Sequence, residues 1–316
     1  MSLDKKLENL FLNVTIKAAV SSYNFVGKKN KNAADKAAVD SMRSELNQIN
    51  MRGEIVIGEG ELDKAPMLYL GEKVGTNIGP ELDIAVDPLE GTNFAANNLP
   101  GALSVISVAE KSNLFNAPET YMNKISSDVV EKGVVDLDFS IKDNIYNLAE
   151  YKNKKPQNLT VCILDRPRHK KIIEELTKLN VKLKLISDGD VSGALLVTDN
   201  KYGVDLFMGI GGGPEGVLAA SALDSFNCFF QGKFLFESKI DKERAKKIGI
   251  MDLNKKYELD EIISGDSIFC ATGITSGDLV SGIQFVNNEF ISETLITHKS
   301  SGLAKKIKVK QKVNKA

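Results

Sequence analysis

The chain is poor in sulfur, histidine and arginine, and each shortage narrows what it can be. Three cysteines, Cys162, Cys228 and Cys270, lie far apart in 316 residues. They form no Cys-x-x-Cys pair and no even disulfide set, which points to a reducing compartment. No apolar run approaches a membrane span. The N-terminal Met1–Ser22 mixes acids with its apolar residues and reads as an amphipathic helix, not a signal peptide. Neither charge sign dominates: 41 Lys and Arg against 42 Asp and Glu give a net charge of -1, so nothing calls for nucleic acid. A soluble cytoplasmic protein, with neither a nucleic-acid nor a membrane partner, is the expectation. At 42% hydrophobic residues the chain can build a large core, as one big domain or two ordinary ones.

What is present is organised in two rhythms. Helical spacing covers Leu3–Tyr23 and the alanine-rich Ala33–Ile49. Short strands are expected at Glu54–Ile57, Asp83–Val86 and Ala102–Ala109. After the polar "YKNKKPQN" at 151–158, strands (159–164, 182–186, 204–208) alternate with helices (170–179, after 190, 214–226). That order predicts a parallel sheet. The expected fold class is α/β: an α+β domain over residues 1–155, then an α/β domain over 156–316. The lysine-rich tail "KKIKVKQKV" alternates like an edge strand, where lysines discourage aggregation; an anion-binding arm is the less economical alternative.

Acids gather at expected strand ends. Glu59 and Glu61 follow one strand in "IGEGELD"; Asp87 and Glu90 follow another in "DPLEGT", with Thr92 two residues on. Glycines 58, 60 and 91 permit sharp turns, and Pro88 stiffens one of them. Converging carboxylates repel unless protons or cations intervene. Oxygen donors without His or Cys suit Mg²⁺ or Mn²⁺ rather than zinc. A lone "DPLEG" would be a surface turn, and Asp35, opening a helix, would be an ordinary cap.

Two of only five arginines and one of two histidines fall in "RPRH" at 166–169. Arginine offers forked donors to phosphate. "DGD" at 188–190 could accept sugar hydroxyls or cap a helix. "GIGGGPEG" satisfies the dinucleotide fingerprint through Gly211, Gly213 and Gly216, but Glu215 would occupy the helix N-terminus that a pyrophosphate needs.

Together these stretches resemble class II fructose-1,6-bisphosphatase, of the lithium-sensitive, metal-dependent sugar and inositol phosphatase superfamily. The resemblance runs through "KNAADKAAVDSMR", "IVIGEGELDKAPMLYLGEKVG", "DIAVDPLEGT", "NAPETYM", "LDRPRH", "SDGDVSGAL", "GIGGGPEGVLAA" and "FCATGITSGDL". It implies a layered, inositol monophosphatase-like fold. It implies Asp35, Glu59, Asp87, Glu90 and Glu215 as metal ligands for Mn²⁺ or Mg²⁺. Thr92 would orient the attacking water, with Asp35 or Glu59 taking its proton. Glu90, Gly91 and Thr92 would line the reacting phosphate, with Lys31 near it. Tyr121, the segment Arg166, Pro167, Arg168, the segment Asp188, Gly189, Asp190, and Gly212 would hold the sugar bisphosphate. Without the resemblance, Tyr121 reads as a half-buried tyrosine.

The implied reaction is hydrolysis of the 1-phosphate of fructose 1,6-bisphosphate in gluconeogenesis, in a homo-oligomeric (dimeric or tetrameric) enzyme inhibited by lithium, with the site between its two domains. With only His169 and His298, the chain lacks the histidines of a histidine-based phosphatase. Sedoheptulose 1,7-bisphosphate is an alternative substrate, and a non-catalytic sugar-phosphate sensor is a rival of another class. An inositol monophosphatase is disfavoured, because its Trp-Asp motif cannot occur in a chain with no Trp. The chain departs from the family at "GKKNK" (27–31), where lysine and asparagine stand for arginine and an acid, at Gly213, and at "FFQGKFLF".

Overall fold

The structure, a computed structural model, describes residues 2–60 and 67–312. It is mixed α/β, as expected, and divides into two compact units: residues 1–115 with 263–316, and residues 116–262.

The first unit begins with α1 (Lys6–Tyr23), α2 (Lys31–Leu46), β1 (Arg52–Ile57), β2 (Lys73–Val74), β3 (Glu81–Glu90), α3 (Thr92–Asn97) and β4 (Leu103–Glu110). The second holds β5 (Tyr121–Ser127), α4 (Ile141–Tyr151), β6 (Thr160–Leu164), α5 (Lys170–Lys178), β7 (Lys182–Ile186), α6 (Asp190–Leu195), β8 (Leu206–Gly212), α7 (Gly213–Ser225), β9 (Phe229–Leu235), α8 (Lys239–Lys247), β10 (Lys256–Glu258) and α9 (Leu259–Ile262). The chain then returns to the first unit as β11 (Ser267–Gly273), β12 (Gln284–Val286), β13 (Glu289–His298) and β14 (Leu303–Lys312).

In the first unit the strands run β12-β13-β11-β4-β3-β1-β2, with β14 added to β13. The α1 stripe of Leu7, Phe11, Val14 and Ala18 is buried in the core formed with α2 and the sheet, so this amphipathic helix exchanges its apolar face for packing. The lysine-rich tail is β14, an added strand whose Lys308 lies 3.7 Å from Glu293 of β13.

The second sheet runs β10-β9-β5-β8-β6-β7. Only β6, β7 and β8 are parallel; β5 runs antiparallel to both β8 and β9. The sheet is therefore mixed, not parallel throughout. The expected division after residue 155 falls inside this unit, between α4 and β6, and residues 263–316 rejoin the first unit. The cause is long-range pairing: β5 precedes the polar linker-like stretch, yet bonds to β8 and β9, which both follow that stretch.

Candidate active site

In the first unit the acidic segment is carried by β3. This strand does not stop at Val86, as its apolar run suggests, but continues to Glu90. Its ladder to β1 ends at the Ile57–Ala85 pair, while its ladder to β4 shifts register between Asp87 and Glu90. Pro88 sits in that irregularity, beyond the β1 ladder, where a missing N–H costs no bond to β1. The irregularity leaves Asp87 half-buried and Glu90 5% exposed. Gly91 follows with φ +78°, and a Cβ there would stand 2.9 Å from the Phe94 ring. A left-handed glycine is thus required to turn the strand into α3. Thr92, half-buried, is the first residue of that short helix.

Glu59 follows β1, half-buried, its N–H bonded to the Leu68 carbonyl at 2.9 Å. Glu61 lies outside the described residues. Asp35 does not open its helix. The cap of α2 is Asn30, whose side chain accepts from Ala33 N at 3.0 Å, and Asp35 stands one turn in, half-buried. The capping alternative falls away, and burial pushes the Asp35 carboxyl above the usual carboxylate range. Lys31, the first residue of α2, is exposed. The departing "GKKNK" loop is tied to α3 by two backbone bonds, Gly27 N to Ala95 O (2.9 Å) and Lys29 N to Ala96 O (2.8 Å), which its side-chain changes leave intact, while its Asn30 side chain supplies the α2 cap.

In the second unit the "RPRH" cluster has a structural reason. The parallel ladder of β6 with β8 covers only Leu206 and Phe207. Beyond it the turn takes over the open edge of β8. His169, fully buried, accepts the Ile210 N–H at Nε2 (2.7 Å), and its Nδ1 faces Leu164 O at 2.6 Å. Arg168 Nε donates to Ile210 O at 2.9 Å. Burial holds the His169 pKa below its ordinary value, so the ring is neutral, with Nδ1 as donor. The docked turn sets the Arg168 guanidinium 4.9 Å over the Tyr121 ring. Tyr121 is 45% exposed, not half-buried in the core. Arg166 lies 3.6 Å from Asp188.

The "DGD" carboxylates do not cap α6. Gly189 is its N-cap, left-handed and without a side-chain bond. Asp190 turns instead to Lys124, a lysine of β5 that is 1% exposed and also donates to Gly212 O at 2.7 Å. Sequence reasoning missed Lys124. Glu215, in the first turn of α7, presents a buried Oε2 with no hydrogen-bond partner among the described residues, as does Asp190 with Oδ1. Burial raises the Glu215 pKa, the Lys124 charge opposes this, and Asp190 adds to it. The glycines of "GIGGGPEG" now have a different use from phosphate cradling. A Cβ at Gly211 would collide with the Asp190 carboxylate, and one at Gly212 with that of Glu215. They make room for two anions.

The structure thus brings together Asp87, Glu90, Gly91 and Thr92 along one chain segment, and Tyr121 with Arg168, Arg166 with Asp188, and Asp190 with Lys124 and Gly212 in the other unit. Among the described residues no three His, Cys, Asp or Glu side chains are gathered closely enough to hold a metal ion. Nor, among the described residues, does any helix have the length and apolarity to cross a membrane. Two cavities of about 440 and 350 Å³ in the first unit are lined by none of the candidate residues.

In the first unit, buried and half-buried carboxylates thus stand beside backbone turns; in the second, an arginine lies over an exposed tyrosine. Residues 5–311 match the family described as bacterial fructose-1,6-bisphosphatase, glpX-encoded. A protein of Synechococcus sp. (strain JA-3-3Ab), named D-fructose 1,6-bisphosphatase class 2/sedoheptulose 1,7-bisphosphatase, is 39% identical, covering 95% of this chain and 93% of its own. One of the same name from Thermosynechococcus vestitus is also 39% identical, over 93% and 92%. Among solved structures, the extragenic suppressor protein suhB of Bartonella henselae shows 11% identity and a TM-score of 0.36 over 63% of this chain and 74% of its own. The chain belongs to the bacterial, glpX-encoded fructose-1,6-bisphosphatase family and is a phosphoric monoester hydrolase.

Proposed function

We propose that the chain hydrolyses the 1-phosphate of fructose 1,6-bisphosphate with a division of labour between carboxylates and cations. Asp35, Glu59, Asp87, Glu90 and Glu215 would hold Mg²⁺ or Mn²⁺. The chemistry of the donor set suits such ions, because every ligand is a carboxylate oxygen and the buried Glu215 Oε2 has no hydrogen-bond partner among the described residues, while no three of these carboxylates are gathered around one point in this structure. The bound ions supply charge neutralisation of the phosphate and acidification of water. Thr92, fixed by the left-handed Gly91 at the start of α3, orients the attacking water, and Asp35 or Glu59 takes its proton. Arg166 and Arg168 grip the phosphate that is retained, Tyr121 lies against the sugar, and Asp188 and Asp190 accept its hydroxyls. The observation that carries this assignment is the Arg168–Tyr121 pair, positioned by a buried neutral histidine.

Activity on sedoheptulose 1,7-bisphosphate is part of the proposal, because the relatives carry both names. A cytoplasmic homo-oligomer inhibited by Li⁺ at millimolar order and serving gluconeogenesis completes it. The test is phosphate release from both bisphosphates and from inositol 1-phosphate, with Mn²⁺, Mg²⁺ or EDTA. Metal-dependent release from the bisphosphates is expected. Silence on all three with metal bound would revive the sugar-phosphate sensor.

A further inference from the structure

Half of one sheet face in the second unit presents polar side chains that the protein itself leaves unanswered. Laddered residues share a face of a sheet, and alternate residues of a strand return to it. Tyr121 is laddered to Gly212 and Leu235, and Asn123 to Ile210 and Lys233. Tyr121, Asn123 and Lys233 therefore stand on one face. Met122 and Lys124 point to the other, against Gly216 of α7. Farther along the first face, Ile125, Met208 and Phe229 are buried in a core with Ile145 and Leu148 of α4. That end is covered, but the Tyr121 end is not. Tyr121 is exposed, and Asn123 and Lys233 are half-buried.

Arg168 reaches the same face, because its guanidinium lies over the Tyr121 ring while its Nε holds the carbonyl of Ile210, the partner of Asn123. Lys256, opposite Lys233 on the next strand, is engaged by Asp136 at 2.5 Å and Asp138 at 2.7 Å. Among the described residues the Lys233 side chain makes no ion pair or hydrogen bond, and the same holds for the Asn123 amide and the Tyr121 hydroxyl. A half-buried cation without a partner, with an amide and a phenol on the same face as further donors, is suited to an oxyanion with several acceptor oxygens.

We propose that Lys233 and Asn123 complete, with Arg168 and Tyr121, a seat for a phosphate monoester: the end of the sugar bisphosphate that is not hydrolysed. This rests on the assignment of Arg168 and Tyr121 to the substrate. Lys233 is a point charge on a flexible stem, so the seat accepts a phosphate over a range of positions and sets how tightly bisphosphates are preferred over monophosphates.

The test compares fructose 1,6-bisphosphate with fructose 1-phosphate, which lacks the retained phosphate, using Lys233→Gln, Asn123→Ala, Lys233→Arg and Arg168→Ala. Lys233→Gln should raise KM for the bisphosphate by about tenfold, the loss of one charge-assisted contact, and weaken inhibition by fructose 6-phosphate by a similar factor. Asn123→Ala should act in the same direction but less. Neither should discriminate against fructose 1-phosphate, and Lys233→Arg should restore KM. Equal losses on both substrates, or an unchanged KM, would overturn the proposal. If Arg168→Ala raises KM and Lys233→Gln does not, the seat excludes Lys233 while the substrate assignment stands. If neither raises it, the substrate assignment itself fails.

Discussion

The two units build their candidate residues by different means. In the first, backbone does the placing: a register shift around Pro88, a left-handed Gly91 and a short helix carry Asp87, Glu90 and Thr92 on one stretch of chain. In the second, side chains do it. Buried His169 docks the arginine turn onto β8, and buried Lys124 ties Asp190 to the strand-helix junction at Gly212. The first arrangement is local in sequence and robust to side-chain change away from its glycine. The second spans Lys124 to Gly212 and depends on single buried groups.

This contrast can be broken at several points. Lys124→Met removes the buried counter-ion and leaves the Asp190 and Glu215 carboxylates uncompensated. It should destabilise the protein by about 3–5 kcal/mol, read from the urea midpoint. An unchanged midpoint would mean that the second unit does not hang on this lysine. Thr92→Ala should cost roughly 10²-fold or more in kcat, while substrate still binds by calorimetry. Near-normal turnover would remove Thr92 from the water-orienting role. Gly91→Ala must adopt φ +78° against the Phe94 ring and should cost about 1–2 kcal/mol, with a matching loss of activity.

The smallest expected effect is a pH dependence. The folded-state pKa of His169 lies below the ordinary 6.5, since burial favours the neutral ring. Its contribution to stability is therefore complete above about 6.5 and is lost as pH falls below that value. The difference in urea midpoint between the wild type and His169→Asn should shrink from pH 7.5 to pH 5. A difference that grows on acidification would show that the ring is charged in the fold.

Much of this was legible in the sequence because the motifs are short. "DPLEGT", "RPRH", "DGD" and "GGGPEG" each bring chemistry and turn residues together within a few positions, and local spacing reveals them. What was hidden depends on pairing across the chain. Lys124 lies in "YMNKISS", an unremarkable strand pattern, and its partner Asp190 is 66 residues away. That β5 belongs to the second sheet follows from ladders to β8 and β9, which no local period announces. The extent of β3 is hidden for a related reason: proline ordinarily ends a strand, but beyond the β1 ladder and within a register shift it can stay.

The central claim is that the acids of the first unit serve metal and the cations of the second serve the sugar phosphate. It is tested most directly by titrating Mn²⁺ and fructose 1,6-bisphosphate separately against phosphate release in Glu90→Gln and Arg168→Ala. Glu90→Gln should raise the metal concentration for half-maximal rate and leave the substrate KM at saturating metal nearly unchanged. Arg168→Ala should raise the substrate KM and leave the metal requirement unchanged. Both variants shifting the same parameter by the same factor would contradict the division.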